Sequence, residues 1–246
     1  MTSADFTDAG FRELVVIAKT RHVFRPFADA LTMSDGLLWR HDIDMSVHRA
    51  LALARIERDE QVAGAFFVYL HSTFYNALEA DIVALLLEIV SLGHEIGLHF
   101  DPLFYGLRPS DTEALERAVA AERDLLQGTL RTTVAAVSFH NPDVSGFKDE
   151  VHDDRIAGLV NAYGNRLRRD FAYCSDSSGY WRSKPIRDVL TEPGRDRIQV
   201  LTHPEWWVPE PMPPRSRVAR AINGRSASVA RRYNEALRAL GRETDS

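Results

Sequence analysis

Short apolar runs alternate along the chain with longer stretches in which apolar residues recur at helical spacing. The apolar runs predict six strands, at 37–44, 63–70, 94–100, 134–140, 171–175 and 198–203. Strands that alternate with amphipathic helices are typical of consecutive βα units around a parallel sheet. The pattern therefore predicts a fold of the α/β class.

Capping signals mark where the intervening helices begin and end. Ser46 is placed to cap the helix after the first strand, because its hydroxyl can accept a hydrogen bond from a free backbone N–H. Ser110, with Glu113 three residues later, has the spacing of a capping box. Gly128 stands where the end of that helix would need a left-handed residue.

Length and composition predict one folded domain. The chain has 246 residues, of which 45% are hydrophobic and 26% are charged. Such a length suits an α/β barrel built as a single domain, and neither a linker nor an internal repeat interrupts it. We expect one domain over 1–246, with a barrel core at about 37–207 and a C-terminal helix at about 215–240.

Charge and cysteine content narrow the function classes. The formal net charge of −5 gives no overall positive field for nucleic acid or an anionic membrane. The N-terminus shows no basic and apolar leader, and no run is long enough to span a bilayer. We therefore expect a cytoplasmic protein that acts on a small molecule or saccharide. Because Cys174 is the only cysteine, any metal must be held by histidine and carboxylate.

Polar side chains end the predicted strands, and in a parallel barrel these ends meet at one mouth. Asp42 and Asp44 share one face of the first strand because side chains alternate along it. His99 and Asp101 share a face of the third strand in the same way. Two carboxylates beside an imidazole are what a divalent ion and a separate general base need.

Four of these segments, in this order, resemble the polysaccharide deacetylases, also called NodB-homology or carbohydrate esterase family four proteins. The segments are RHDID at 40–44, GHEIGLH at 93–99, FHNP at 139–142 and LTH at 201–203. The resemblance extends over about 37–207. It implies an α/β fold that is a distorted (β/α)7-type barrel of the glycoside hydrolase and deacetylase kind, with a divalent ion, usually zinc, at its mouth.

The resemblance also implies roles for individual residues. Asp42 matches the catalytic base, while Asp44 and His99 match metal ligands. His203 matches the general acid, and Asp176 matches an acidic residue that positions a catalytic partner.

The second motif departs from the family pattern, since Leu103 stands where the family has a second metal-binding histidine. His140, Asp101 and His94 are the available substitutes for this third ligand. His94 faces away from His99 on an extended strand. His140 is preferred over Asp101 because zinc in mixed sites favours imidazole.

Several further residues are candidate substrate contacts. Arg182 could bind an anionic group of the substrate, and Trp206 could form a wall on which a sugar stacks. Tyr75 and Asn76 lie in a loop expected to flank the mouth.

These features together predict a metal-dependent hydrolase that removes an acetyl or formyl group from an amide nitrogen of a sugar or sugar-like substrate. Two alternatives stay open. The first is an amidohydrolase acting on a non-sugar amide or a ureide, and the second is a catalytically silent carbohydrate-binding protein of the same fold.

Overall fold

The computed structural model describes residues 6–181 and 184–242, and in this part of the chain eight strands form one sheet. The strands are β1 (Gly36–Ile43), β2 (Ala65–Val68), β3 (Glu95–Phe100), β4 (Val134–Phe139), β5 (Arg155–Ile156), β6 (Leu159–Asn161), β7 (Ala172–Ser175) and β8 (Arg197–Thr202). Their order in the sheet is β5-β6-β4-β3-β2-β1-β8-β7. Every neighbouring pair is parallel except β5 and β6, which pair as an antiparallel hairpin.

Helices follow most of the strands. They are α1 (Asp8–Arg21), α2 (Val47–Asp59), α3 (Ala80–Ser91), α4 (Thr112–Leu130), α5 (Pro142–Ser145), α6 (Phe147–Glu150), α7 (Asn165–Asp170), α8 (Ile186–Thr191) and α9 (Pro214–Ala239). None of the helices in the described ranges has both the length and the apolar character of a membrane span.

The α/β class and the (β/α)7 type are confirmed. All six strands predicted from the apolar runs are present, and with β6 the sheet has seven parallel strands. The sheet is not closed, because β5 and β7 end the strand order and no pairing joins them in the described residues. β6 was not predicted, since a strand of three residues is too short to show an apolar pattern.

Both faces of the sheet are covered, which explains why its strands are apolar along their whole length. All eight residues of β1 are buried, as expected of a parallel strand that packs on two sides. On one face Leu38, Phe67 and Ala136 form a cluster with Phe27, which lies in a single 3-10 turn. The Phe27 ring meets the Phe67 ring edge-on, with 5.2 Å between the ring centroids. This cluster fills the space against that face of the sheet, below the carboxyl ends of the strands.

Gly97 in β3 leaves the space that the Phe67 ring occupies. A Cβ atom on this residue would lie 2.6 Å from the ring, closer than packed carbon atoms approach. The backbone of Gly97 does not adopt a left-handed conformation. Packing against the Phe67 ring is therefore the reason that this position requires a glycine.

The capping predictions are partly confirmed. The Ser46 hydroxyl accepts a hydrogen bond from the Arg49 N–H at 3.3 Å, as expected. The predicted start and stop of α4 were wrong, since Asp111 precedes its first turn and the helix continues through Gly128. It ends at Arg131, which takes the left-handed conformation itself (φ 51°). The backbone N–H of Arg131 binds a carbonyl of the last turn, and this offsets the strain.

The first helix, α1, precedes the predicted core and packs on its outer face. Phe11 of α1 contacts the rings of Trp39 and Trp207, with centroid separations of 5.6 and 5.3 Å. The core therefore begins earlier in the chain than the predicted boundary at residue 37.

Candidate active site

A cleft of about 460 Å³ opens at the carboxyl ends of β1, β3, β4 and β8. Its ionisable lining includes all of the predicted metal ligands together with the predicted base and acid, namely Asp42, Asp44, His99, His140 and His203. These residues lie far apart in the sequence, and the parallel sheet brings them together because it aligns the strand ends.

A chain of hydrogen bonds links His99 to Asp42 through Ser138. The His99 Nδ1–H donates to the Ser138 hydroxyl oxygen at 2.7 Å, and the Ser138 hydroxyl donates to Asp42 Oδ1 at 3.3 Å. All three side chains are buried. Because this chain places a proton on Nδ1, Nε2 is the nitrogen that faces the cleft.

The other nitrogen of His99 lies against Asp44. His99 Nε2 is 3.1 Å from Asp44 Oδ1, and that buried oxygen has no hydrogen bond. Burial would raise the pKa of Asp44, but His99, His203 and His140 lower it to about 2. An ionised carboxylate oxygen therefore faces an imidazole nitrogen across a short gap.

This pair fits a divalent ion. When Nε2 loses its proton, a lone pair of His99 faces one of Asp44, and a cation between them would take the place of that proton. The fit is limited to these two donors, because no group of three or more histidine, cysteine or acidic side chains within 6–181 and 184–242 is arranged to hold a metal.

His140 is the best placed of the three substitutes for the third ligand. Its ring centroid is 5.5 Å from that of His99, and its Nδ1 is 3.5 Å from Asp101 Oδ2. Burial and the neighbouring His99 lower the pKa of His140, so its ring is neutral at pH 7. A neutral imidazole oriented by a carboxylate is the usual form of a metal-binding histidine.

The other two substitutes are occupied by contacts of their own. Asp101 accepts hydrogen bonds from the Tyr69 hydroxyl at 2.7 Å and from the Leu103 N–H at 3.0 Å. His94 binds the Gly64 N–H and the Ala54 carbonyl oxygen, away from the cleft. The structure therefore places Asp101 behind His140 as an orienting group.

His203 directly follows β8 and faces the second carboxylate oxygen of Asp44. Its Nε2 is 4.0 Å from Asp44 Oδ2, and its Nδ1–H donates to Asp176 Oδ1 at 2.7 Å. Burial would lower the pKa of His203, but Asp176 and then Asp44 raise it to about 10. His203 is therefore protonated at neutral pH.

Asp176 accepts three hydrogen bonds besides the one from the imidazole of His203. The His203 backbone N–H donates to both carboxylate oxygens, at 2.9 and 3.1 Å, and Trp207 Nε1–H donates to Oδ2 at 2.8 Å. Asp176 is fully buried. It holds the His203 ring with Nε2 directed toward Asp44.

Arg40 is a part of this site that the sequence analysis did not identify. Its guanidinium is fully buried, with Nη2 3.4 Å from Asp42 Oδ2 and 2.6 Å from the Tyr163 hydroxyl. Burial opposes the charged form, but Asp42 and Tyr163 raise the pKa of Arg40. The sequence did contain a signal for Arg40. It lies two residues before Asp42 on the same strand, so the two side chains point to the same face of the sheet.

Of the predicted substrate contacts that lie within 6–181 and 184–242, only Trp206 lines the cleft. Tyr75 is buried, with 5% of its surface exposed, and its hydroxyl donates to the Ile43 carbonyl oxygen and accepts from the Tyr69 N–H. Asn76 is bound to the Leu78 N–H in its own loop. Arg182 lies outside the described residues. Tyr75 and Asn76 therefore support the wall of the cleft without facing it.

Comparison with known proteins gave similarities at the level of solved structures. No protein-family model and no curated protein sequence matches the chain. A family 4 carbohydrate esterase from Bacillus anthracis has a TM-score of 0.43 at 13% identity, over 94% of this chain and 87% of that one. A family 4 acetyl xylan esterase from Clostridium thermocellum, in complex with a cobalt ion, has a TM-score of 0.38 at 14% identity, over 78% and 83%.

A third similar structure is a mutant of a family 4 pseudoenzyme with restored enzymatic activity. Its TM-score is 0.43 at 11% identity, and the match covers 78% of this chain and 62% of that one. All three structures are family 4 carbohydrate esterases, the family that the sequence motifs resemble.

Proposed function

We propose that this protein hydrolyses an amide-linked acyl group, acetyl or formyl, on a sugar or sugar-like substrate. The observation that carries the proposal is the arrangement of the cleft. Asp42, held beside Arg40, and the protonated His203 lie on either side of the Asp44–His99 pair. A base and an acid within reach of one substrate are what amide hydrolysis requires.

A divalent ion completes the proposed site. Asp44 and His99 would hold it, with His140 as the proposed third ligand and zinc as the expected ion. When bound, such an ion supplies a Lewis acid for the acyl carbonyl oxygen. His140 would reach this position by a rotation of its side chain, since it directly follows β4 and its backbone N–H binds the carbonyl oxygen of Phe100, the residue after His99.

Asp42 would act as the general base. Its carboxylate lines the cleft and would take a proton from a water molecule that attacks the acyl carbon. Arg40 and the Ser138 hydroxyl hold the carboxylate in place through its two oxygens.

His203 would act as the general acid. It would give its Nε2 proton to the amide nitrogen as the C–N bond breaks, which releases a carboxylic acid and a free amine. Asp176 keeps the ring charged and oriented until that step.

The proposal that the substrate is a sugar rests on the sequence motifs and on the aromatic rim of the cleft. Rings of Tyr69, Tyr173 and Trp206 line it, and aromatic faces stack on the apolar faces of sugars.

Exchange of the proposed base tests the function. In Asp42→Asn, we expect turnover of acetylated or formylated amino sugars to fall by about 10²–10⁴, while zinc content after reconstitution stays that of the wild type. Asp188→Asn on the exposed face of α8 is the matched control. Release of acetate or formate and elemental analysis provide the two measurements.

Equal turnover in Asp42→Asn and wild type would refute the role of Asp42. If the wild type binds saccharide and shows no turnover with any divalent ion, the alternative of a silent carbohydrate-binding protein replaces the hydrolase.

A further inference from the structure

A second cleft, of about 360 Å³, lies between α9 and the first turns of α2 and α3. We call it the arginine cleft because six arginines line it: Arg49, Arg217, Arg220, Arg225, Arg231 and Arg232. Met45 and Phe74 line both this cleft and the candidate active site. The two clefts are therefore neighbours, separated by these two side chains.

Three of these arginines are held by carboxylates. Arg225 and Arg232 both bind Glu79, which ties α9 to the start of α3. Arg49 binds Asp8. The pairs with Glu79, together with a pair between Arg232 and Asp81 at 3.5 Å, hold α9 against the start of α3.

Two other arginines have no such role. Arg220 and Arg231 are exposed, and neither pairs with a carboxylate in the part of the chain that the structure describes. The one hydrogen bond of Arg231 is a contact of 3.5 Å with Ser228 on its own helix. Burial lowers the pKa of Arg49, and the positive charge of Arg220 acts in the same direction. Like charges thus converge here, which costs free energy unless an anion is present.

Glu205 forms part of the wall without neutralising these charges. Only 3% of its surface is exposed, and both carboxyl oxygens lack a hydrogen bond. Burial and then the charge of Asp44 raise the pKa of Glu205 well above its usual range. No hydrogen bond therefore joins Glu205 to an arginine of this cleft.

From this arrangement we propose that the arginine cleft binds a phosphate or diphosphate group, and that the substrate is an acylated saccharide carrying such a group. Guanidinium groups form paired hydrogen bonds to phosphate oxygens. The first turn of α2 contributes further positive potential at the same place, and Asp81 in the first turn of α3 is paired with Arg232. The second half of the proposal rests on the proposed function, because it places the acyl amide in the adjoining active site.

Binding of inorganic pyrophosphate to the full-length protein tests the site without requiring activity. We expect calorimetry to show that the double variant Arg220→Ala/Arg231→Ala binds at least about tenfold more weakly than wild type, since two charge-assisted contacts are lost. Arg238→Ala, an exposed arginine on α9 outside the cleft, should bind within about twofold of wild type. Equal affinity in all three proteins, or no binding to wild type, would overturn the proposal.

A kinetic comparison then tests the substrate class. We expect a lower KM for N-acetylglucosamine 1-phosphate than for N-acetylglucosamine, and the double variant should remove that difference while kcat changes little. The same sugar linked through diphosphate to a prenyl chain, supplied in detergent, separates a lipid-linked source of the phosphate from a soluble one.

The two proposals can fail separately. Pyrophosphate binding without turnover of any sugar would refute the proposed hydrolase activity and leave the proposed anion site intact. Turnover with the same KM for neutral and phosphorylated sugars would overturn the substrate class alone.

Discussion

His203 and Asp176 show how one contact sets the protonation state of a residue. The Asp176 carboxylate raises the pKa of His203 from 6.5 to about 10 against the opposing effect of burial. A raised pKa means that the folded protein holds this proton more tightly than the unfolded chain does. The pair therefore contributes its full stability below pH 6.5, and this contribution is lost as the pH rises through about 10.

Replacing Asp176 with Asn should move this titration. We expect the pKa of His203 to fall from about 10, because only the charges of Asp44 and Glu205 then oppose the effect of burial. The alkaline limb of the pH–kcat/KM profile should shift to lower pH by the same interval. NMR titration of the His203 ring and the pH–rate profile give the measurements, with Asp149→Asn on the surface as the control. An unchanged alkaline limb would mean that His203 is not the acid.

Strand β3 illustrates packing at the scale of one element. Its residues alternate between His99, which faces the cleft, and positions that fill the layers beneath helices. Gly97 lies two residues before His99, and the Phe67 ring fills the space beside it. The Phe67 ring of β2 therefore supports the part of β3 that carries His99.

Two glycine substitutions separate packing from helix propensity. Gly97→Ala should lower the free energy of unfolding by about 1–3 kcal/mol, because the new methyl group meets a ring in a filled interior. Gly128→Ala should raise it by about 1 kcal/mol, since the residue is inside α4 with nothing within 4 Å of the added Cβ. Urea denaturation of both variants and wild type measures this. Equal effects would contradict the packing argument for Gly97.

At the scale of the whole molecule, the site depends on four strands whose carboxyl ends the fold brings together. Residues from β1, β3, β4 and β8 or the loops directly after them supply the carboxylates and imidazoles. An ion bound among them would therefore stabilise the folded state as a whole, since the unfolded chain cannot gather these ligands.

Zinc should raise the melting temperature of the wild type. At a concentration of about 100 times Kd, mass action adds about 2.7 kcal/mol, which corresponds to roughly 5–10 °C for a domain of this size. His99→Ala should lose this shift, whereas His152→Ala, on the surface, should retain it. Calorimetric scans with and without zinc provide the measurement, and an equal shift in His99→Ala would show that zinc binds elsewhere.

The sequence alone determined the fold class and the residues that end its strands. Six strands follow from apolar runs because a sheet buried on both faces needs such runs, and parity places Asp42 with Asp44 and His99 with Asp101. These are local properties, and each can be read from a few neighbouring residues.

Only the tertiary structure decided which residues that are distant in the sequence contact each other and which role each has in the site. It placed Asp101 behind His140, buried Tyr75 under the cleft wall, set Arg40 against Asp42 and gathered arginines from α2 and α9 into one cleft. The physical reason is that hydrogen bonds, burial and charge act over a few ångströms in space. Separation along the chain does not reveal which side chains will share that space.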